Sequence, residues 1–475
     1  MNRRSIRVLL ALLVLPLGCG KMHDPVLAAK LDGILNRCAQ SGTICAARVV
    51  EVSSGREVYA TNAHRAMMPA SCLKLLTSAA LLDRFGPDHT FKTYLAMKGD
   101  DLWVIGTGDP GTGDPRIASW SKKAPVSMFD DWADALAKHG ITRISGKLYY
   151  YDGALEATWV HPSWDSDFLV EWFAAPVSGL NFNDNCLDIT VKPAADGRKI
   201  EYDLMPPVKN VQVINNCLAG PSQSPRIVRA GWGDVFIVSG TAKESATLQS
   251  KPVCDPGAFF ADAMRTHFES RGIVIEGATV RASAPPASTT ILATHETRLR
   301  DVIWRINKNS QNFFAEAACK LLGQKDEADR GRSIAGSWES GSRAIHAFLA
   351  KSHIDDSQVV IADGSGLSRD NRVTAKALTD LLLVMQQHRS GEVFRESLSV
   401  AGKDGSLAKR LASLNGRVLG KTGFIGGVCS LAGYVRSGGG QWLCFAILYN
   451  GNFDADEKPY QGLQDDALTA LSEWQ

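Results

Sequence analysis

The sequence predicts an α+β chain: an antiparallel sheet with helices, split by a large, mainly β insertion of one or two subdomains. Three observations predict it. Strand-like runs stand at both ends of the chain with helix-like periodicity between them, so the N- and C-terminal parts would share one sheet. From Thr90 to about Pro286 the texture changes to short strand-like runs separated by Gly/Pro turns. At 475 residues, the chain is also longer than one core needs.

The N-terminus has the form of an export signal. Arg3, Arg4 and Arg7 precede an apolar run, Val8 to Leu17, that is too short to span a bilayer. Two processing routes follow from it. Pro16-Leu17-Gly18-Cys19 is a variant of the lipoprotein cleavage box, with cleavage before residue 19. Val26-Leu27-Ala28 offers the small-residue pattern of an ordinary signal. Residues 1–28 are therefore set aside as a signal segment. No later apolar stretch is long enough to span, so an exported, periplasmic or cell-envelope protein is expected, with a lipid on Cys19 as its only membrane tether.

Along the rest of the chain, apolar Ala46, Val49 and Val52 lead to the turn Ser53-Ser54-Gly55, and Val58-Tyr59-Ala60 leads away from it, which predicts two strands. Pro69-Ala70-Ser71 opens a buried helix over Leu73 to Leu82, which Gly86-Pro87 ends. Within residues 92–292, strands are expected at Leu102 to Ile105, Lys147 to Tyr151, Leu187 to Val191 and Val235 to Ser239. Helices are expected at Phe129 to His139 and Phe259 to Ser270. The tandem Gly106-Thr107-Gly108-Asp109-Pro110 and Gly111-Thr112-Gly113-Asp114-Pro115 lacks the Gly-Lys-Ser/Thr ending of a P-loop and reads as a turn. Helical spacing returns at Asn312 to Leu322, Ser342 to Ala350 and Ala375 to Gln386. A hairpin, Val428 to Val435 and Trp442 to Leu448, and a last helix from about Gln461 to Glu473 close the chain. Residues 29–91 and 293–475 are thus two parts of one domain, with 92–292 inserted.

Composition narrows the function classes only broadly. Hydrophobic content of 45%, charged content of 21% and a formal charge of +2 describe an ordinary globular protein and give no electrostatic case for nucleic acid. Ten cysteines suit an oxidising compartment. Cys38 with Cys45, or two of Cys186, Cys217 and Cys254, would pair; buried free thiols are the other reading. No CxxC and no H-x-x-x-H occurs, so neither a zinc ribbon nor any other metal or cofactor is expected.

Three short motifs carry the chemistry: Ser71-Cys72-Leu73-Lys74, Ser310-Gln311-Asn312 and Lys421-Thr422-Gly423. S-x-x-K recurs at Ser119 and Ser406 and S-x-N at Ser413, so order and context decide. Ser71 opens an apolar helix, which puts Lys74 one turn on and on the same face, within reach of the hydroxyl it would deprotonate. Ser310 opens a helix after an Asn/Lys-rich turn. Lys421 lies on a strand before the terminal hairpin.

Beyond these motifs the chain resembles the D-alanyl-D-alanine carboxypeptidase/endopeptidase family of class C low-molecular-mass penicillin-binding proteins, the penicillin-binding protein 4 type. The likeness covers Met68 to Phe91 around the nucleophile, Asp363-Gly364-Ser365-Gly366-Leu367-Ser368-Arg369 with Asn371, Gly402 to Leu407, and Leu431 to Val435 after the K-T-G. Gly108-Asp109-Pro110 and Ala175 to Leu180 resemble motifs of the family's insertion. The resemblance implies a penicillin-recognising serine transferase domain around that insertion. It implies an acyl-enzyme on Ser71, with peptidoglycan stem peptides as substrates and β-lactams as ligands. Lys74 would take the Ser71 proton, with its pKa depressed by desolvation and by the Lys421 charge. Ser310 would relay a proton to the leaving amine, and Asn312 would hold Lys74 and the substrate amide. Lys421, Thr422 and Gly423 would bind the terminal carboxylate. Backbone N–H groups of Ser71 and Phe424 would form the oxyanion hole, each donor worth about 3 kcal/mol. Phe424 stands where many relatives carry Ser or Thr, which removes a hydroxyl from the carboxylate site. The alternatives are a β-lactamase, which would need a water-activating group not evident here, and a slow or non-catalytic peptidoglycan-binding lipoprotein. Asp363-Gly364-Ser365-Gly366 reads as a structural loop near the site, and Trp164 and Trp304 as packing aromatics rather than groove walls.

Overall fold

The computed structural model describes residues 24–194, 199–231, 233–453 and 456–475. The basic flank, the apolar run and Cys19 lie outside the described residues. The first helix, α1 (Pro25–Leu35), is capped by Asp24, whose carboxylate accepts from Val26 N and Leu27 N and from Trp474 Nε1 at the far end of the chain. The Val26-Leu27-Ala28 pattern therefore lies in the first turn of a helix, with Leu27 buried.

Strands β1 (Ile44–Glu51) and β2 (Glu57–Thr61) form the predicted pair. A 3-10 turn, Ala70–Leu73, leads into α2 (Lys74–Phe85). The chain then leaves along β3 (Thr90–Lys98) and returns through β4 (Asp101–Gly106). Helix α3 (Ser127–Lys138), β5 (Leu148–Tyr151), helix α4 (Pro256–Ser270) and β6 (Thr279–Arg281) follow. Strand β7 (Thr290–Arg298) then pairs antiparallel with β3, from Thr290 opposite Met97 to Arg298 opposite Thr90. These strands make one five-stranded sheet in the order β6-β5-β4-β3-β7. Between β5 and α4, short strands including Cys186–Pro193, Arg226–Arg229 and Val235–Ser239 form smaller sheets.

After β7 come α5 (Leu299–Lys308), α6 (Asn312–Asp329), α7 (Trp338–Lys351) and α8 (Ala375–Gln387). Strands β8 (Val418–Ile425), β9 (Val428–Arg436) and β10 (Trp442–Asn450) and helix α9 (Lys458–Glu473) end the chain. The Asn/Lys-rich stretch before Ser310, read as a turn, is instead the last turn of α5. Asn307 and Lys308 are buried there, Asn307 against Ser78 and Ser397 and Lys308 against Asp404, so polar partners offset the composition.

The six-stranded antiparallel sheet runs Ser399–Val400, β8, β9, β10, β1, β2. β1 meets β10 over eight rungs, Ile44 opposite Asn450 to Glu51 opposite Leu443, so the two ends of the chain share one sheet as the sequence predicts. Strands β9 and β10 are buried on both faces, which explains their near-continuous apolar sequence. Ala432, Ala446 and Leu448 face the helices α2 and α5–α8. Leu431, Phe445 and Ile447 face α1 and α9. A separate apolar core fills the insertion around Phe129, Phe182, Phe236 and Phe260. Among the described residues no disulfide forms, so of the two readings of the cysteines the buried free thiols hold. Cys38, Cys45, Cys72, Cys186, Cys217, Cys319, Cys429 and Cys444 are free and buried, and burial pushes the Cys45, Cys429 and Cys444 thiols up to about 12. They act as small apolar side chains.

Candidate active site

The Pro69–Leu73 turn places the first motif. Ala70 holds φ +44°, a left-handed conformation costly for a residue with a Cβ, so the neighbours must hold it. Ser430 Oγ donates to Pro69 O at 2.6 Å from strand β9. Gly366, at φ +88°, lies so close that a Cβ there would sit 1.9 Å from Ala70 O; only glycine lets the 363–366 loop cover the turn. Gly423 of β8 is constrained less severely, since its Cβ would lie 2.8 Å from Pro69 O and 2.9 Å from Ser71 N. The K-T-G strand and the D-G-S-G loop thus clamp the nucleophile turn from two sides.

Lys74 is fully buried. Its Nζ lies 2.9 Å from Ser71 Oγ, 2.6 Å from Asn312 Oδ1 and 2.8 Å from Ser365 O. Asn312 Oδ1 and the carbonyl can only accept. A neutral amine has two N–H donors and one lone pair, so it satisfies all three partners in one way: it donates to Asn312 and Ser365 and accepts the Ser71 proton. Burial holds the Lys74 pKa well below the usual lysine range, and the Lys421 charge adds to the effect, against the opposing fields of Glu316 and Asp363. The charged amine would instead donate to all three, and the surroundings favour the neutral form, in which the lone pair faces Ser71.

Ser310 lies in the short break between α5 and α6, at φ +58°. Its Oγ accepts from Lys421 Nζ at 2.8 Å, and Lys421 also donates to Thr422 O at 2.6 Å. Lys421 is fully buried, and burial lowers its pKa to about 8. Asn312, the N-terminal residue of α6, gives its amide Nδ2 to Phe173 O at 2.8 Å, so a backbone carbonyl of the insertion reaches the site. Thr422 Oγ1 donates to Ser406 Oγ at 2.7 Å. Phe424 leaves 43% of its surface exposed. The structure therefore brings Ser71, Lys74 and Asn312 into one hydrogen-bonded group and Lys421 and Ser310 into a second. Gly423 packs on the nucleophile turn, and Thr422 and Phe424 stand beside it on β8.

Four participants escaped the sequence reading. Glu316, one helical turn after Asn312, accepts from Gly364 N at 2.8 Å, Ser365 N at 2.9 Å and Trp338 Nε1 at 2.7 Å. Burial, with Asp363 nearby, raises its carboxyl pKa. It fixes the loop whose Ser365 carbonyl holds Lys74. The i, i+4 spacing from Asn312 was the available signal. Ser406, set aside as part of a stray S-x-x-K, meets Thr422. Neither Ser365 O nor Phe173 O has a side-chain signature. Trp164 is buried and donates to Asp363 Oδ2 at 2.9 Å, so it supports the D-G-S-G loop from the insertion side.

Comparison with known proteins follows this geometry. The profile of the D-Ala-D-Ala carboxypeptidase 3 (S13) family matches residues 27–470. A D-alanyl-D-alanine carboxypeptidase of Actinomadura sp. (strain R39) is 27% identical over 451 residues, 89% of this chain and 80% of that protein. The D-alanyl-D-alanine carboxypeptidase DacB of Haemophilus influenzae is 24% identical, covering 82% of each. Among solved structures, penicillin binding protein 4 (dacB) of Haemophilus influenzae superposes with a TM-score of 0.75 at 22% identity. The superposition covers 94% of this chain and 99% of that one.

Proposed function

Since the chain belongs to the D-Ala-D-Ala carboxypeptidase 3 (S13) family and is a serine-type D-Ala-D-Ala carboxypeptidase, we propose that Ser71 is its nucleophile and Lys74 the base that activates it. Ser71 Oγ attacks the carbonyl of the penultimate D-Ala while its proton passes to the Lys74 lone pair. Backbone N–H groups of Ser71 and Phe424 receive the oxyanion. The Ser310 hydroxyl, backed by Lys421, gives a proton to the departing D-Ala amine, and the proton taken up by Lys74 replaces it, which leaves Lys74 neutral again. Lys421 and Thr422 hold the terminal carboxylate, which favours cleavage at a free C-terminus over cross-links. Water then enters and attacks the acyl carbon, losing a proton to Lys74, which passes it to Ser71 Oγ as the peptide leaves. β-Lactams acylate the same serine.

The observation that carries this reading is the Lys74 amine, buried against two obligate acceptors and 2.9 Å from the Ser71 hydroxyl, the one neighbour among these three that can give it a proton. Labelling with a fluorescent penicillin tests it. A covalent band on the mature protein that disappears in Ser71→Ala is expected; a band that survives the substitution moves the nucleophile elsewhere.

Residues 29–91 and 293–475 form the catalytic domain in this reading, and 92–292 the insertion. The paired strands β3 and β7 support it, since they carry the chain out and back side by side. The protein acts on peptidoglycan stem peptides outside the cytoplasm. Processing before Cys19 is preferred over cleavage after Ala28, because it keeps the Asp24 cap and its bond to Trp474. Among the described residues, no helix is long and apolar enough to cross a membrane.

A further inference from the structure

The insertion touches the second motif through a turn of unusual shape. Asn183, Asp184 and Asn185 hold φ of 51°, 55° and 54°, three successive non-glycine residues in the left-handed region. The two asparagines pin the turn to the insertion. Asn183 Nδ2 donates to Cys186 O at 2.8 Å, and Asn185 Nδ2 donates to Pro176 O at 2.8 Å and to Asn181 Oδ1 at 2.7 Å. Between them, Asp184 points away from the insertion's core and toward the catalytic helices. Its Oδ2 accepts from Gln311 Nε2 at 2.7 Å and from Arg305 Nη2 at 2.9 Å.

Both donors belong to the chain that carries Ser310. Gln311 stands between Ser310 and Asn312, and its backbone N–H donates to Arg305 O at 3.1 Å. Arg305 also donates to Asn309 Oδ1 at 2.8 Å and to Asp114 Oδ2 at 2.8 Å. Asp114 belongs to the second Gly-Thr-Gly-Asp-Pro copy, whereas Asp109 of the first copy accepts from Thr297 Oγ1 at 2.9 Å, just before α5. The tandem repeat thus holds α5 near both ends, and Asp184 holds the residue after Ser310. Ser310 itself keeps a left-handed backbone that its own sequence does not favour.

We propose that Asp184 is a positioning residue for acylation, acting through Gln311 and Arg305 to fix Ser310 and Asn312 against Lys421 and Lys74. The proposal rests on the assignment of Ser71 as nucleophile and gives the insertion a part in the chemistry. Small displacements of groups in this position cost rate rather than binding alone.

The test measures the second-order rate constant for acylation of the full mature chain by a fluorescent penicillin, with the melting temperature recorded alongside. Asp184→Asn and Gln311→Glu are each expected to lower the rate about tenfold, the first by weakening the Arg305 contact and the second by opposing two carboxylates. In the double variant an amide at 184 donates to a carboxylate at 311, and the rate returns to within about threefold of the parent. A purely structural role predicts lowered melting temperatures, parental rates for the folded protein and no recovery in the double variant. Those results overturn the proposal. If Asp184→Asn does not fold, Gln311→Met removes the contact without adding charge and is read by the same criterion. Label on the parent protein that survives Ser71→Ala would instead overturn the Ser71 assignment, so the two failures are distinct.

Discussion

The catalytic site and the insertion bury positive charge in opposite ways. Lys74 and Lys421, both fully buried, are surrounded by hydroxyls, an amide and carbonyls, and no carboxylate lies within ion-pair distance of either among the described residues. In the insertion, Lys251 sits in a two-oxygen contact with Glu171, 2.9 Å to each. At the junction, Arg305 is shared by Asp114 and Asp184. A carboxylate beside a buried cation offsets part of its desolvation and fixes geometry. A buried cation with neutral partners loses its proton more easily and can act as a reagent. Burial is the main cause of the lowered Lys74 and Lys421 pKa values, and their neutral contacts do not reverse it.

The largest effect that would sharpen this comparison is steric. Gly366→Ala brings a Cβ to 1.9 Å from Ala70 O at a backbone φ of +88°, so the nucleophile turn must move. Acylation should fall by at least about tenfold, with a lower melting temperature from roughly 2 kcal/mol or more of strain. Unchanged acylation would show that the turn needs no support from the D-G-S-G loop.

A second test concerns protons. The rate kcat/KM for a D-Ala-D-Ala peptide should rise with pH as Lys74 loses its proton. It should fall through about 8 as Lys421 loses the charge that meets the carboxylate. In Lys421→Arg the guanidinium stays protonated, so the falling limb should disappear from that range. A falling limb that persists would assign it to another group.

The smallest expected effect lies at the junction. Burial raises the Asp109 pKa to about 7, so the folded protein binds this proton more tightly than the unfolded chain between pH 3.8 and 7. The contribution of Asp109 to stability is therefore greatest at low pH and is lost as pH rises toward 7. Asp109→Asn mimics the protonated form. Between pH 5 and pH 8 its melting temperature should gain on that of the parent by on the order of 2 °C. A constant difference across that range would mean that Asp109 does not titrate there.

How much could be read from the sequence depended on the kind of signal each element carries. Strands β9 and β10 and helices α2 and α8 announce themselves because helices or strands cover them and their apolar periodicity is strong. Strand β7, Thr290–Arg298, was not anticipated; its burial is irregular and Thr297 is its one buried residue, so it carries little periodic signal. Helix α1 was hidden behind a cleavage pattern that its first turn happens to satisfy. At the site, the three motifs marked side chains that the fold brings together. Glu316 and Ser406 act through other residues, Phe173 and Ser365 offer only backbone carbonyls, and the Asp109, Asp114 and Asp184 contacts join segments far apart in sequence. No local pattern encodes such contacts.

The shared sheet also sets an order of events. On the side away from β2, strand β1 is completed by β10, and Cys72 Sγ donates to Lys421 O across 349 residues of sequence. A chain that emerges from a ribosome or a translocation channel N-terminus first must carry Ser71 and Lys74 through almost its whole synthesis before the strand that completes the site arrives. Until then the serine has no second lysine beside it and no β8 to close its turn. The cluster around Ser71 is thereby complete only when the last strands of the sheet have arrived.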